Sequence, residues 1–134
     1  PRQLNNIKFK NFNIPSYFYN RLETKKKFHY ICSNGNLISY GWSSLEKFFL
    51  ITEINCKVVN KGIVIFFDFN TLKKYRRRGF YKLLLSKMQV FFKSYKCFIY
   101  TNVLNFKSFF GINKSNFKIF KILTPLTNKI NLDK

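Results

Sequence analysis

Past the first dozen or so residues, apolar and polar positions along the first half of the chain follow strand-like spacing, which changes to a helical one near residue 79. Phe28-His29-Tyr30-Ile31-Cys32 and Leu37-Ile38-Ser39-Tyr40-Gly41-Trp42 flank Ser33-Asn34-Gly35-Asn36. A tight type I′ turn needs positive φ at both central positions, so this Asn-Gly pair predicts a β-hairpin. Phe48 to Val59 predicts a further strand, and Lys61-Gly62 turns it into Ile63 to Phe69. The near-continuous apolar run of that last segment suits a strand covered on both faces. Upstream, residues 1–13 show no clear period, whereas Pro15 at a first-turn position followed by Tyr17, Phe18, Tyr19 and Leu22 predicts a short helix over 15–23.

Phe80, Leu83, Leu84, Met88, Phe91 and Phe92 then recur at helical spacing, predicting a helix over 79–94 with one face on the sheet. Cys97 to Tyr100 predicts a short buried strand. Asn105 can cap a helix whose Phe106, Phe109 and Phe110 share one face, ending near Lys114-Ser115-Asn116, where Asn tolerates the left-handed conformation. Phe117 to Leu123 predicts a final strand, and Pro125 with the Lys- and Asn-rich tail a loosely held end. The expected fold class is therefore α+β: one mixed, predominantly antiparallel central sheet flanked by helices, as a single domain over 1–134.

A chain of 134 residues supports one core. No apolar run approaches the roughly 20 residues of a membrane span, which points to a soluble protein. Pro1-Arg2-Gln3-Leu4 carries neither an initiator Met nor a signal-peptide pattern, leaving a processed or shortened start open. Three Cys, at 32, 56 and 97, exclude a fully paired disulfide scaffold and suit a reducing cytoplasm. The formal charge of +20 biases partners towards anions, but its reading is tempered by composition. Alanine is absent while Lys, Asn, Phe, Ile and Tyr abound, the bias an AT-rich genome writes at free surface positions. Arginine rises above that background: Arg2 and Arg21 stand alone, and the other three are consecutive at Arg76-Arg77-Arg78.

That run lies in Asn70-Thr71-Leu72-Lys73-Lys74-Tyr75-Arg76-Arg77-Arg78-Gly79-Phe80-Tyr81, between the buried strand and the long helix. A strand–loop–helix junction presents unpaired N–H groups and the positive end of the helix dipole, a setting for phosphate; the bland alternative is a solvated charge run. The stretch resembles motif A of the GNAT superfamily of N-acetyltransferases, Arg/Gln-x-x-Gly-x-Gly/Ala, with Arg76, Gly79 and Tyr81 in the matching places and Tyr81 replacing the usual small residue. A second stretch, Asn105-x-x-Ser108 followed by Lys114-x-Asn116-Phe117, is similar to that family's Asn-x-x-Ala/Ser and Lys-x-Gly-Phe. The resemblance covers residues 28–123. It implies use of acetyl-CoA or another acyl-CoA, with the pyrophosphate on the backbone of Arg76, Arg77, Arg78, Gly79, Phe80 and Tyr81 and pantetheine along Phe69 and Thr71. Asn105 is either a cofactor contact or a helix cap.

Acyl transfer to an amine needs a base. Glu53, expected on a strand beside the central one, ranks first, and Asp68, at the end of the central strand, second; Asp68 is otherwise the buried partner of a lysine. Glu46 and His29 complete the ionisable candidates, His29 as a packing residue first. The family often supplies an acid two residues before the matched Lys, where this chain has Ile112. No spacing of His and Cys suggests a metal or a covalent acyl-enzyme. Tyr40 and Trp42, on one strand face, are core or a stacking wall for substrate. These features together suggest transfer of an acyl group to the amine of a small anionic acceptor such as a nucleotide-linked amino sugar, the alternatives being a basic nucleic-acid-binding module or a CoA-binding domain without catalysis. Oligomeric state is left open.

Overall fold

The computed structural model describes residues 4, 6–102, 104–105, 108, 111–112, 115–124 and 126–133. Helix α1 (Ser16–Leu22) precedes the hairpin β1 (Lys26–Ser33) and β2 (Asn36–Ser44). Its turn has Asn34 at φ 51° and Gly35 at φ 78°, as a primed turn requires. Strands β3 (Phe48–Ile51), β4 (Cys56–Lys61) and β5 (Ile63–Thr71) follow, then helix α2 (Phe80–Phe91), β6 (Lys96–Ile99) and β7 (Lys129–Asp133).

The strands form two sheets, in the orders β1-β2-β5-β6 and β3-β4-β7. Three pairings are antiparallel, while β5–β6 and β4–β7 are parallel. The class is α+β as expected, with the pairing split between two sheets.

Strand β5 organises the packing because its alternate residues feed opposite cores. Ile63, Ile65 and Phe67 face a cluster with Phe18 and Leu22 of α1, Phe28, Trp42 and the inner side of β3, β4 and β7. Val64 and Phe66 face Leu84, Leu85 and Met88 of α2 and Phe92. A strand buried on both faces has no polar positions to spare, which is why its sequence runs nearly unbroken in apolar residues. The turn into it is closed by the Asn60 side chain, which accepts from the Ile63 N–H at 3.1 Å and donates to the Ile63 carbonyl at 2.9 Å.

Five expectations are corrected. Phe48–Val59 is two strands, because a 3-10 turn at Thr52–Ile54 and Asn55 at φ 49° fold it into a hairpin; no Gly or Pro marks that break. Residues 117–124 form no strand, and Ile119, Phe120 and Ile122 are exposed. The strand lies further on, where Lys129–Asp133 pairs in parallel with β4, so the tail expected to be loose is held by a ladder. Strand β6 is half-buried rather than buried, and the α2 stripe is Leu84, Leu85, Met88 and Phe92, leaving Leu83 and Phe91 outward. Asn116 is left-handed (φ 64°) as anticipated, whereas Phe106, Phe109, Phe110, Lys114 and Pro125 lie outside the described residues. Among the described residues no helix is long and apolar enough to cross a membrane.

His29 on β1 packs edge-on against Phe91 and Phe92, each ring centroid 5.7 Å away, and its Nε2 lies 2.7 Å from the Ser43 hydroxyl. Burial, with a contribution from Lys27, lowers its pKa to about 4. The native state therefore keeps His29 neutral where the unfolded chain would protonate it, so stability should be full above about pH 6.5 and decline as pH falls towards 4, by roughly 3 kcal/mol at most. The expected outcome is a falling melting temperature through that window, with a shallower slope in His29→Gln.

Candidate active site

The site is set by an irregularity in β5. Trp42 pairs with Phe67 and Tyr40 with Asn70, so Gly41 alone faces both Asp68 and Phe69. This is a β-bulge, with the extra residue accommodated by Asp68 at φ 54°. One inserted residue reverses which face the following side chains meet. Phe69 accordingly packs with the α2 core although Ile63, Ile65 and Phe67 of the same parity face the other. Gly41 is required opposite: a Cβ there would lie 2.4 Å from the Phe69 ring.

The bulge turns Asp68 towards α1. Its Oδ2 accepts a hydrogen bond from the Arg21 guanidinium at 2.6 Å. Arg21 is held over three rings, Tyr17 at 4.9 Å, Trp42 at 5.1 Å and Phe67 at 5.3 Å. The sequence expectation of a buried carboxylate paired with lysine is thus corrected: the partner is an arginine, and the Asp68 side chain keeps 48% of its exposure. Tyr100, just beyond β6, lies in the field of this pair. Burial raises its pKa first, the Glu53 and Asp68 carboxylates raise it further, and Arg21 opposes them. Its phenol is therefore protonated throughout the physiological range.

Glu53 is not on a strand beside β5. It sits exposed on the 3-10 turn of the β3–β4 hairpin, accepting from the Thr52 hydroxyl at 3.3 Å. Glu46 is drawn off to Lys26 at 2.9 Å. Tyr40 and Trp42 are buried core residues, Trp42 edge-on to Phe18 at 5.0 Å. Trp42 still borders the site, because its ring lies under Arg21.

On the other side of the bulge, β5 outruns its neighbour. The β5–β6 ladder ends at Phe66↔Ile99, while β5 continues to Thr71 and pairs there only with β2. Among the described residues no strand pairs with the far edge of Phe67–Thr71. A 3-10 turn (Lys73–Tyr75) leads into Arg76–Gly79, where Arg77 (φ 63°) and Gly79 (φ 80°) are left-handed. Among the described residues, no backbone carbonyl accepts from the amides of residues 77–82, the first helical bond being Leu83 N–H to Gly79 at 3.0 Å. A Cβ at Gly79 would meet nothing within 4 Å, so this N-terminus is open to a ligand. Arg76, though exposed, donates from Nε to the Thr71 carbonyl at 2.8 Å and so braces the end of β5. Arg77 and Arg78 are exposed.

Tyr81 does not line that opening. Its ring stands perpendicular to Phe69 at 5.3 Å and rests on Gly111, where a Cβ would come within 2.6 Å. A larger residue at this motif position is thus accommodated by a glycine on the facing helical segment, and burial raises the Tyr81 pKa. Asn105 acts as a cap: its Oδ1 accepts from the Ser108 N–H at 3.3 Å. Ser108, Gly111 and Ile112 are helical. Among the described residues no three His, Cys, Asp or Glu side chains converge as metal ligands would.

Sequence reasoning passed over Arg21, Tyr17, Tyr100 and Gly41. Arg21 carried a signal, being one of only five arginines among 25 basic residues. Tyr100 and Gly41 carried none, since one acts through a strand that stops early and the other through a bulge.

Compared by sequence, the chain matches no protein-family model and no curated protein. Compared by structure, it resembles acetyltransferases of the GNAT fold. An aminoglycoside 6′-N-acetyltransferase from Acinetobacter haemolyticus superimposes with a TM-score of 0.65 at 15% identity, covering 85% of this chain and 78% of that one. AAC(6′)-Iy, in complex with the bisubstrate analogue CoA-S-monomethyl-acetylneamine, gives 0.64 at 16% identity over 82% and 78%. An acetyltransferase of Trypanosoma brucei gives 0.58 at 16% over 81% and 72%. At these identities the likeness establishes the fold.

The Tyr81–Gly111 contact makes a direct prediction. Gly111→Ala should destabilise the protein by about 1–3 kcal/mol through overpacking, and should cost much less in a Tyr81→Ala background. Denaturant titration of the four members of the cycle measures this coupling; additive losses would show the two positions to be independent.

Proposed function

We propose that this chain, with the fold of the GNAT acetyltransferases, is an N-acyltransferase that moves an acetyl or related acyl group from CoA to the primary amine of a small, negatively charged acceptor such as a nucleotide-linked amino sugar. The observation carrying this reading is that β5 runs past its last partner on β6 and leads into a loop with left-handed residues whose amides meet no backbone acceptor among the described residues. An unpaired strand edge suits the two amide groups of pantetheine, as a strand suits an added strand. The open N-terminus of α2 suits the pyrophosphate, with Arg77 and Arg78 adding charge around it. CoA along this track would place its thioester beside the bulge.

In this mechanism the amine lone pair attacks the thioester carbonyl carbon, the C–N bond forms, and the C–S bond breaks with its electron pair on sulfur. The amine must first lose a proton, and Asp68 takes it directly or through a water. Asp68 is preferred over Glu53 because it stands on the bulge itself, whereas Glu53 lies on the β3–β4 turn. Ile112 cannot protonate the departing thiolate. Water or the protonated phenol of Tyr100 supplies that proton, and a CoA thiolate is a tolerable leaving group without either. The 1–134 span acts as one catalytic domain in this reading.

The tests follow from the geometry. CoA and acetyl-CoA should each raise the melting temperature in a way that survives moderate salt, and Gly79→Pro should remove the effect because proline cannot adopt φ 80°. Stabilisation only by oligonucleotides and only at low salt would favour the nucleic-acid reading instead. Asp68→Asn keeps a side chain that tolerates positive φ and gives up an ion pair that is partly solvated and so worth roughly 1 kcal/mol at most. It should lower kcat by roughly 10²- to 10⁴-fold with little change in melting temperature or CoA affinity, while Glu53→Gln stays near wild type. The reverse pattern would move the base to Glu53.

A further inference from the structure

Arg21 occupies the position a cationic acceptor would otherwise take. Its guanidinium sits over Tyr17, Trp42 and Phe67 and against the carboxylate of Asp68. Aromatic faces and a carboxylate are what a protein uses to hold an ammonium ion, and here a residue of the chain fills that place. The charge is nevertheless reachable, since the Arg21 and Asp68 side chains keep 25% and 48% of their exposure and Tyr17 beside them is exposed.

Arginine carries five N–H donors. Among the described residues the Arg21 side chain makes a single hydrogen bond, from Nη1 to Asp68 Oδ2. The fork that would bind an oxyanion through two parallel bonds is therefore unfilled. The ion pair itself is one hydrogen bond between partly exposed groups, a weak interaction that a better pair of contacts can replace.

We propose that Arg21 is the specificity-determining residue of the acceptor site, recognising a carboxylate or phosphate on the acceptor close to the amine that is acylated. This rests on the acyltransferase reading above and narrows its acceptor. The anion takes the free donors of Arg21 and draws the guanidinium from Asp68, while the acceptor's ammonium group takes over the Asp68 carboxylate. One internal ion pair is exchanged for two intermolecular ones, and because Arg21 and Asp68 are in contact, the two substrate charges must be close neighbours as well. Asp68 is then released from its internal partner as the amine that needs deprotonating arrives. A polycationic acceptor without an anion would find the cage filled by Arg21.

The test uses the whole chain with acetyl-CoA, and acceptors matched in pairs that differ by the anion: glucosamine and glucosamine 6-phosphate for phosphate, glycinamide and glycine for carboxylate. CoA release gives kcat and KM, and saturation-transfer NMR gives acceptor binding separately from turnover. In wild type the anionic member of at least one pair should have a kcat/KM roughly 10- to 100-fold higher, the range expected of a charge-assisted hydrogen bond, and the favoured pair identifies phosphate or carboxylate. Arg21→Gln should collapse that ratio towards one by raising KM for the anionic member. Arg21→Lys, which keeps charge without the fork, should retain part of it and serves should Arg21→Gln fold poorly. Turnover with equal kcat/KM within both pairs, or a preference that persists in both variants, would overturn the assignment and leave the acyltransferase reading intact. Binding of the anionic member that depends on Arg21, without turnover of any acceptor, would uphold the assignment and overturn catalysis.

Discussion

A single inserted residue in β5 fixes most of what is distinctive here. Without the bulge at Asp68, Phe69 would fall on the same side as Phe67 and Asp68 on the side of α2. With it, the strand delivers an aromatic ring to one core and a carboxylate to the opposite face within two positions. Such a displacement is tolerable only because Gly41 leaves room for the Phe69 ring and because aspartate accepts positive φ at modest cost. The bulge also sits where β6 stops pairing, so the change of side and the opening of the strand edge fall together.

The electrostatics follow from that placement. A chain with 25 basic and 5 acidic residues has few carboxylates to place, yet Asp68 and Glu53 both act on the Tyr100 phenol. The countercharge comes from a short helix anchored in the core by Phe18 and Leu22, with the Arg21 guanidinium over the rings of Tyr17, Trp42 and Phe67 as well as against Asp68. The loop between β5 and α2 is different in kind. There the main-chain amides of the loop stand beside three exposed arginines, of which Arg76 also braces the end of β5.

Much of this architecture was legible in the sequence because local rules dominated. The Asn-Gly turn, the two-sided run of β5, the periodicity of α2 and the left-handed Asn116 all follow from backbone preferences that need no partner. What escaped depended on partners distant in sequence. The break at Thr52–Ile54 occurs within an apolar alternation, and β7 is stabilised by β4, more than sixty residues earlier, despite a polar composition. Glu53 and Asp68 were both recognised as candidates, but only a bulge and a hairpin break separate their settings. Tyr81, a misfit in its motif, is explained by Gly111 on another element.

Trp42 carries a last consequence. It is the sole tryptophan of the chain, fully buried, with no hydrogen-bond partner for its indole nitrogen among the described residues. The Arg21 guanidinium lies 5.1 Å from its ring. An indole in dry surroundings with a cation at its face has an emission energy sensitive to where that cation sits. The molecule therefore contains its own fluorophore beside the Arg21–Asp68 pair, and excitation selective for tryptophan would follow events there without a label.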